Sequence, residues 1–337
     1  MILVVAVLVN VAFITLIERK VLRYSQSRVG PNKPSFVGIL QPIADAVKLF
    51  TKNLITPEGA HKVLFVVVPF IALFLVLWVW LLVPKRFDNS YYYYSRIFLL
   101  IILSLNVYPL LLRGWGSTNK YSMIGALRRV AQTISYEVSL ALVFLLILIY
   151  SRSLSIDIIS SRKKFMRLVL IIPTSLGLWL ISSLAETNRT PFDFSEGERE
   201  LVSGFNTEYR AGAFAVIFIA EYGRIYFLRF LTAILFAPSN SLAFVAVSAT
   251  ALVFFWVWAR RTFPRYRYDL LMSLAWKRIL PLILALNVCA VGVTIYYIKI
   301  SKISYWELSN TRYNRGDGQS LMHTVLCSRY GSFIIRI

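Results

Sequence analysis

Carboxylates are the side chains of this sequence whose number and spacing indicate possible proton-transfer chemistry. Six of the 16 Asp and Glu residues lie between positions 186 and 208, a stretch with only two arginines. A charge run is usually a solvated surface, but Pro191, Phe192 and Phe194 interrupt this one, which favours a folded loop that partly buries its acids. Buried carboxylates with raised pKa values can accept and pass protons near neutral pH. We refer to residues 186–208 as the acidic segment. Its acids are Glu186, Asp193, Glu196, Glu198, Glu200 and Glu208.

Two further acids, Glu137 and Glu221, lie well inside apolar runs of the sequence. A charged side chain deep in a membrane costs about 2.5 to 3.5 kcal/mol on insertion scales, so such residues are usually proton or ion relays. For Glu221 a plain ion pair with Arg224 remains the alternative, since residues three apart share a helix face. Glu18, at the inner end of the first apolar run, can reach the membrane interface and could be only an anchor.

Apolar runs must position these acids. A net charge of +21 would suggest nucleic-acid binding in a soluble protein, but 58% hydrophobic and only 16% charged residues indicate a membrane protein with no nucleic-acid partner. The runs lack the alternation of a membrane barrel, so we predict an all-α, polytopic membrane protein with about eight transmembrane helices. The predicted spans are residues 2–17, 63–83, 97–112, 130–150, 168–185, 213–236, 242–259 and 280–298.

Lys and Arg residues set the predicted orientation of these spans. The odd-numbered loops carry 21 of them, against eight in the N-terminus and the even-numbered loops, so the odd-numbered loops face the positive-inside compartment. Within the first loop, residues 38–52 place Ile39, Ile43, Val47 and Phe50 on one side of a helix. This amphipathic helix lies flat on the membrane or packs on a partner subunit, and the two interpretations are compatible.

Redox cofactors are not expected to bind this chain alone. Its two cysteines and two histidines are too few for a four-ligand zinc site, a thiolate-held iron–sulfur cluster or a bis-histidine haem. The sequence contains no Gly-rich motif of the kind that cradles a dinucleotide or a nucleotide phosphate. We therefore predict no metal site, and no catalytic residue that acts in this chain by itself.

Two long stretches resemble the NADH dehydrogenase subunit 1 family, the quinone-site membrane subunits of respiratory complex I. The first stretch has ERK at 18–20, RVGPNK at 28–33 and a related run at 41–50. The second is similar almost residue for residue, with AETNRTPFD at 185–193 and its continuation through 196–209. Shorter similarities are VAQTISYEVSL at 130–140, AEY at 220–222 and PRYRYD at 264–269.

The resemblance implies a non-catalytic core subunit of the proton-pumping NADH:ubiquinone oxidoreductase. It would lie in the mitochondrial inner membrane or, less readily, a bacterial plasma membrane. Ubiquinone would be the substrate, NADH, FMN and iron–sulfur clusters would bind only to partner subunits, and the partners would be other complex I subunits of both arms and lipid. The implied quinone-tunnel residues are Glu18, Arg19, Arg28, Asp45, Arg189, Phe192, Asp193, Glu196 and Glu198. The implied proton-path residues are Glu137, Glu186, Glu208, Glu221 and Tyr222.

Two other functions remain open at this point. One is the membrane subunit of a related membrane-bound hydrogenase, which shares the span pattern but binds no quinone. The other is a stand-alone proton or cation transporter, suggested by the two acids inside spans. Such a transporter should carry an internal repeat with paired broken helices, and the two halves of this sequence show no self-similarity.

The resemblance covers residues 1–298, which we interpret as one membrane domain, whereas the polar, basic tail 299–337 has no family counterpart that we recognise. Some arginines also depart from the family, which commonly has Ser or Gly at several of these positions, and arginines inside a span are costly. We hypothesise that the native protein carries Ser or Gly at some of them, as when a mitochondrial code reads AGA or AGG in that way. The arginines concerned are Arg23, Arg113, Arg199, Arg210, Arg224 and Arg229.

Overall fold

The computed structural model describes residues 2–33, 35–82, 94–151, 173–193, 206, 208–236 and 242–313. These residues form helices and connecting turns, and no strand occurs among them. The helices are α1 (Ile2–Ser25), α2 (Gln41–Phe50), α3 (Lys62–Leu81), α4 (Ser95–Leu105), α5 (Val107–Gly116), α6 (Lys120–Ser151), α7 (Pro173–Glu186), α8 (Ala211–Phe236), α9 (Leu242–Thr262), α10 (Tyr268–Ser273) and α11 (Leu280–Tyr313).

The prediction of an all-α, polytopic membrane protein is confirmed. Within the described residues, six helical stretches are long and apolar enough to cross a membrane. The remaining two predicted spans also coincide with helices, α1 and α7. The six stretches are Lys62–Leu81, Ser95–Gly116, Lys120–Tyr150, Ala211–Phe236, Ala243–Thr262 and Tyr268–Tyr296.

Several helices extend beyond the apolar runs that predicted them. Helix α6 begins at Lys120, ten residues before the predicted start at position 130, because the helix continues upstream of Arg128 and Arg129, which had bounded the apolar run. The last predicted span is preceded by α10 and by a π-helical turn, Leu274–Ile279, that leads directly into α11. The third span consists of α4 and α5, which meet at Asn106.

The amphipathic helix predicted in the first loop is present as α2. None of its residues is buried, and its apolar side chains Ile43, Val47 and Phe50 are 57 to 61% exposed. Its opposite face carries Asp45, which reaches back to α1. The exposed apolar face is what a helix on a membrane surface or against a partner subunit requires.

Helix α8 is central in the bundle and packs against α1, α2, α3 and α9. Its approach to α3 is close at Gly223, where an added Cβ would lie 2.8 Å from Val76 Cγ1. The Trp80 indole N–H donates to the Gly223 carbonyl at 3.4 Å, which joins the same two helices. On another face of α8, the Trp179 indole N–H of α7 donates to the Thr232 hydroxyl at 3.1 Å.

Helix α6 organises the other side of the bundle, where it packs against α5 and α7. The Tyr136 hydroxyl donates to the Leu271 carbonyl at 3.1 Å, and the Trp276 indole N–H donates to the Ser135 hydroxyl at 3.3 Å. These bonds tie α6 to α10 and to the π-helical turn.

The chain divides into two compact units, residues 1–287 and 288–337. The first unit contains every predicted site residue. In the second unit α11 continues to Tyr313, and residues 314–337 lie outside the described part. The predicted boundary between a membrane domain and a tail at residue 298 stays a prediction.

Candidate functional site

Glu18 is the centre of the first group of predicted site residues. It lies near the end of α1, is 5% exposed, and its Oε1 accepts hydrogen bonds from Arg189 Nη1 at 3.3 Å and from Arg260 Nη1. Tyr222 of α8 hydrogen-bonds to the same carboxylate. The Arg189 guanidinium lies 4.5 Å from the centre of the Tyr222 ring, a cation–π distance. The structure therefore brings together three separately predicted residues and adds Arg260.

Arg19 and Asp45 form a second, more exposed pair. Arg19 Nη1 lies 2.5 Å from Asp45 Oδ2, and Gln41 Nε2 donates to Asp45 Oδ1 at 2.8 Å. This pair connects α1 to the polar face of α2. Arg28 is exposed, and among the described residues no hydrogen bond or ion pair joins its side chain to the other predicted site residues.

The described start of the acidic segment, residues 186–193, is fixed from α6 by one side chain. Gln132 is fully buried, and its amide nitrogen donates to the Ala185 carbonyl at 3.0 Å and to the Phe192 carbonyl at 2.9 Å. A single amide group thus bridges the two ends of a turn. Within the turn, the Phe192 N–H donates to the Arg189 carbonyl at 2.8 Å, and the Thr190–Pro191 peptide bond is cis.

Phe192 and Asp193 are buried, at 4% and 7% exposure. The Phe192 ring lies between Tyr136, with centroids 6.1 Å apart, and Tyr266, stacked at 5.6 Å. Asp193 Oδ2 lies 3.8 Å from Arg265 Nη2. Burial raises the pKa of the Asp193 carboxyl, and the opposing charge of Arg265 only partly offsets this effect. A carboxyl of this kind holds a proton more readily than an exposed aspartate.

Glu186 ends α7 and is 3% exposed. Its Oε1 lies 3.5 Å from Arg224 Nη1 of α8. Glu137 of α6 is half-buried, and its charge acts on Glu186. These two acids of the predicted proton path therefore lie within electrostatic reach of each other.

Glu221 forms ion pairs, but the i+3 pair with Arg224 is not the one observed. Its Oε1 lies 3.0 Å from Arg129 Nη1 of α6 and 3.8 Å from Arg113 Nη1 of α5. Both arginines are buried. Arg224 faces Glu186 instead. The alternative of an ion pair with Arg224 was wrong about the partner, because the observed partners come from other helices.

Glu208 lies apart from these groups. Its Oε1 accepts a hydrogen bond from Asn119 Nδ2 at 2.8 Å. The neighbouring Tyr209 stacks on Phe65 with centroids 4.2 Å apart, and burial raises the pKa of Tyr209 to about 12. These contacts hold the end of the acidic segment against α3 and the start of α6.

One cation links several of the acids. The charge of Arg189 acts on Glu18, Asp193 and Glu221, which belong to α1, the acidic segment and α8. These three carboxylates, from three different parts of the fold, therefore lie within electrostatic reach of the same guanidinium.

Two predicted tunnel residues, Glu196 and Glu198, lie outside the described residues, as does Glu200. The structure also adds residues near the acids that the sequence did not single out as site residues: Gln132, Arg260, Arg265 and Tyr266. Gln132, Arg265 and Tyr266 do lie in motifs that resemble the family, at 130–140 and 264–269. Their motif membership was the available signal, but only the fold shows what they contact.

In the part of the chain that the structure describes, no group of three or more His, Cys, Asp or Glu side chains is arranged to hold a metal ion.

The sequence matches the protein family described as NADH dehydrogenase over residues 1–291. The chain is 47% identical over 294 residues to NADH-ubiquinone oxidoreductase chain 1 of Lampetra fluviatilis, covering 85% of this chain and 92% of that protein. The protein of that name from Aedes aegypti is 45% identical over 302 residues, covering 89% of this chain and 96% of the relative.

Proposed function

The chain belongs to the NADH dehydrogenase family, as a relative of NADH-ubiquinone oxidoreductase chain 1, and from this membership we propose how its buried carboxylates serve the complex. It is a membrane subunit of complex I, and so a component of an oxidoreductase. We propose that the inner end of α1, the first loop and the acidic segment border the quinone tunnel. The residues proposed to border it are Glu18, Arg19, Arg28, Asp45, Arg189, Phe192, Asp193, Glu196 and Glu198.

The observation that carries this proposal is the burial of Glu18 and Asp193 next to aromatic and cationic side chains at the ends of spans. Reduction of a quinone to a quinol consumes two electrons and two protons. A buried carboxyl can supply a proton where bulk water is excluded. The aromatic rings of Phe192 and Tyr222 lie next to these acids and help to exclude water from them.

We further propose that Glu137, Glu186, Glu208, Glu221 and Tyr222 belong to a proton path. The support is electrostatic: Arg189 acts on both Glu18 and Glu221, and Glu137 acts on Glu186. When quinone reduction removes a proton from one carboxylate, the altered charge changes the proton affinity of the others. That linkage is what a pump needs between its reaction site and its membrane path.

The remaining chemistry is assigned to partners. Ubiquinone is the substrate that the relatives' name indicates, and we propose that NADH, FMN and iron–sulfur clusters bind to other complex I subunits. The proposed location is the mitochondrial inner membrane, with the odd-numbered loops in the matrix. There α2 would rest on lipid, on a peripheral-arm subunit, or on both, through Ile43, Val47 and Phe50.

Replacing Asp193 tests the proposed quinone site. In assembled complex I, Asp193→Asn should slow NADH-to-quinone turnover, while NADH oxidation by an artificial acceptor at the peripheral arm continues. Asp269→Asn is the matched control, because the Asp269 side chain is 75% exposed and pairs only with Arg267 in the described structure. Equal loss of both activities in assembled Asp193→Asn complex, or quinone turnover equal to the control, would contradict the proposal.

A further inference from the structure

The end of α9 and the residues that follow it, residues 260–267, contact the acidic segment at several points. The Tyr266 N–H donates to the Pro191 carbonyl at 3.0 Å, and the Tyr266 ring stacks on Phe192 at an interplanar angle of 26°. Arg265 pairs with Asp193. The Thr190 hydroxyl also donates to the carbonyl of Arg260, at 3.5 Å. These contacts fall on consecutive residues of the acidic segment.

The opposite side of the same residues is fixed by α6. Gln132 bonds to the Phe192 carbonyl, and Tyr136 packs on the Phe192 ring. Phe192 therefore packs between helix α6 on one side and Tyr266 on the other. Tyr266 is the more accessible of these contacts, at 40% exposure. A side chain that touches the acidic segment from the surface can position it without occupying the tunnel.

We propose that Arg265 and Tyr266 are positioning residues for quinone reduction, which hold Phe192 and Asp193 in the tunnel wall through an ion pair, a backbone hydrogen bond and a stacked ring. The inference rests on the proposed function of Asp193 and adds the residues that set its position and charge. Arg265 acts through its positive charge on the Asp193 carboxylate, and Tyr266 acts through the packing of its ring on Phe192.

Arg265 influences the titration of Asp193 together with other cations. The charged groups that act on Asp193 are Arg265, Arg129, Arg189 and Arg260, and Arg265 is the strongest of them. The Arg265 side chain is 52% exposed, so water partly screens its charge. Loss of Arg265 should therefore raise the pKa of Asp193 while the other three cations remain. In the pH profile of quinone reduction, the limb that reports Asp193 should move to higher pH.

The charge test compares two arginines of the same segment in assembled complex I. Arg265→Gln should move that limb to higher pH, and Arg265→Lys should restore it. Arg267→Gln is the control, because Arg267 is 81% exposed and its carboxylate partner Asp269 is itself exposed. In the Asp193→Asn background, Arg265→Gln should cause no further movement. An unmoved limb in Arg265→Gln, or an equal movement in the control, would overturn the role of Arg265.

The shape test uses Tyr266. Loss of a stacked pair in Tyr266→Leu should raise the KM for quinone about 2- to 10-fold, with electron transfer from NADH to an artificial acceptor unchanged. Tyr266→Phe keeps the ring and the backbone N–H and should restore the KM. A Tyr266→Leu enzyme with normal quinone KM would overturn this role. If Asp193→Asn itself has full activity, the proposed function fails; if only the Arg265 and Tyr266 variants are normal, the positioning inference fails alone.

Discussion

Gln132→Leu is the substitution whose effect follows most directly from the structure. The Gln132 amide is fully buried and donates two hydrogen bonds, to the carbonyls of Ala185 and Phe192. Leucine has a similar size but no donor, so both bonds disappear while the packing of α6 changes little. The acidic segment should then open locally without unfolding of the bundle.

The two lost bonds are not equivalent. The Ala185 carbonyl also accepts the Asn188 N–H at 3.2 Å, so it keeps a partner and loses only a net contribution of about 1 kcal/mol. The Phe192 carbonyl has no second donor among the described residues, and a buried carbonyl without a partner costs about 1 to 3 kcal/mol. The total is about 2 to 4 kcal/mol, which corresponds to an increase of about 30- to 1,000-fold in the local opening constant.

Hydrogen exchange in assembled complex I measures that constant. The Phe192 amide donates to the Arg189 carbonyl within the turn, and the Arg189 amide donates to the Leu184 carbonyl near the end of α7. Both amides should exchange faster by the same factor in Gln132→Leu. Thr133→Val is the matched control, because among the described residues the buried Thr133 hydroxyl bonds only to the Val130 carbonyl of its own helix. Acceleration below about threefold, or equal acceleration in the control, would refute the reasoning that Gln132 holds this turn.

Four further predictions concern the buried charges and the topology. Glu18→Gln leaves the guanidiniums of Arg189 and Arg260 facing a neutral side chain. Loss of one member of a buried ion pair costs about 3 to 5 kcal/mol, so less complex I should assemble. Normal assembly on native gels would contradict this prediction. Glu221→Gln should be similarly defective. Adding both Arg113→Leu and Arg129→Leu, which removes the two buried arginines paired with Glu221, should restore assembly but not full turnover if Glu221 relays protons; recovery of turnover would make these pairs purely structural. Peptide mass spectrometry of the native chain should find Ser or Gly at Arg229, which is 4% exposed in α8, and an arginine-containing peptide would end that hypothesis. A cysteine replacing Arg267 should react with an impermeant thiol reagent only from the matrix side, and labelling from the other side would reverse the predicted orientation.

The spans were predictable because hydropathy is a local property of the sequence. The ends of the helices outside the apolar runs were less predictable. Helix α6 begins with ten residues that are not part of an apolar run, and the start of the last span passes through a π-helical turn. Hydropathy averaged over a sequence window cannot detect either feature. Helix bounds in such places depend on tertiary packing, as with the bonds from Tyr136 and Trp276.

The acids of the site were predictable, but their partners were not. The motif around 185–193 identified Glu186, Arg189 and Asp193, and the burial of Glu186 and Asp193 agrees with the expected folded loop. The bonds that fix the loop join residues far apart in sequence, 60 positions for Gln132 and Phe192. Local spacing carries no information on such pairs, which is also why it assigned the wrong arginine to Glu221.

The contact between Gly223 and Val76 has a consequence for how relatives of this chain can diverge. A methyl group at position 223 would come within 2.8 Å of a Val76 methyl group, a distance that atoms do not tolerate without a rotation of the Val76 side chain or a shift of one helix. The two positions therefore share one volume. During evolution, a larger residue at position 223 should be accepted only in relatives that carry a smaller residue at position 76. Substitutions at the two positions should therefore be correlated, although 147 positions separate them.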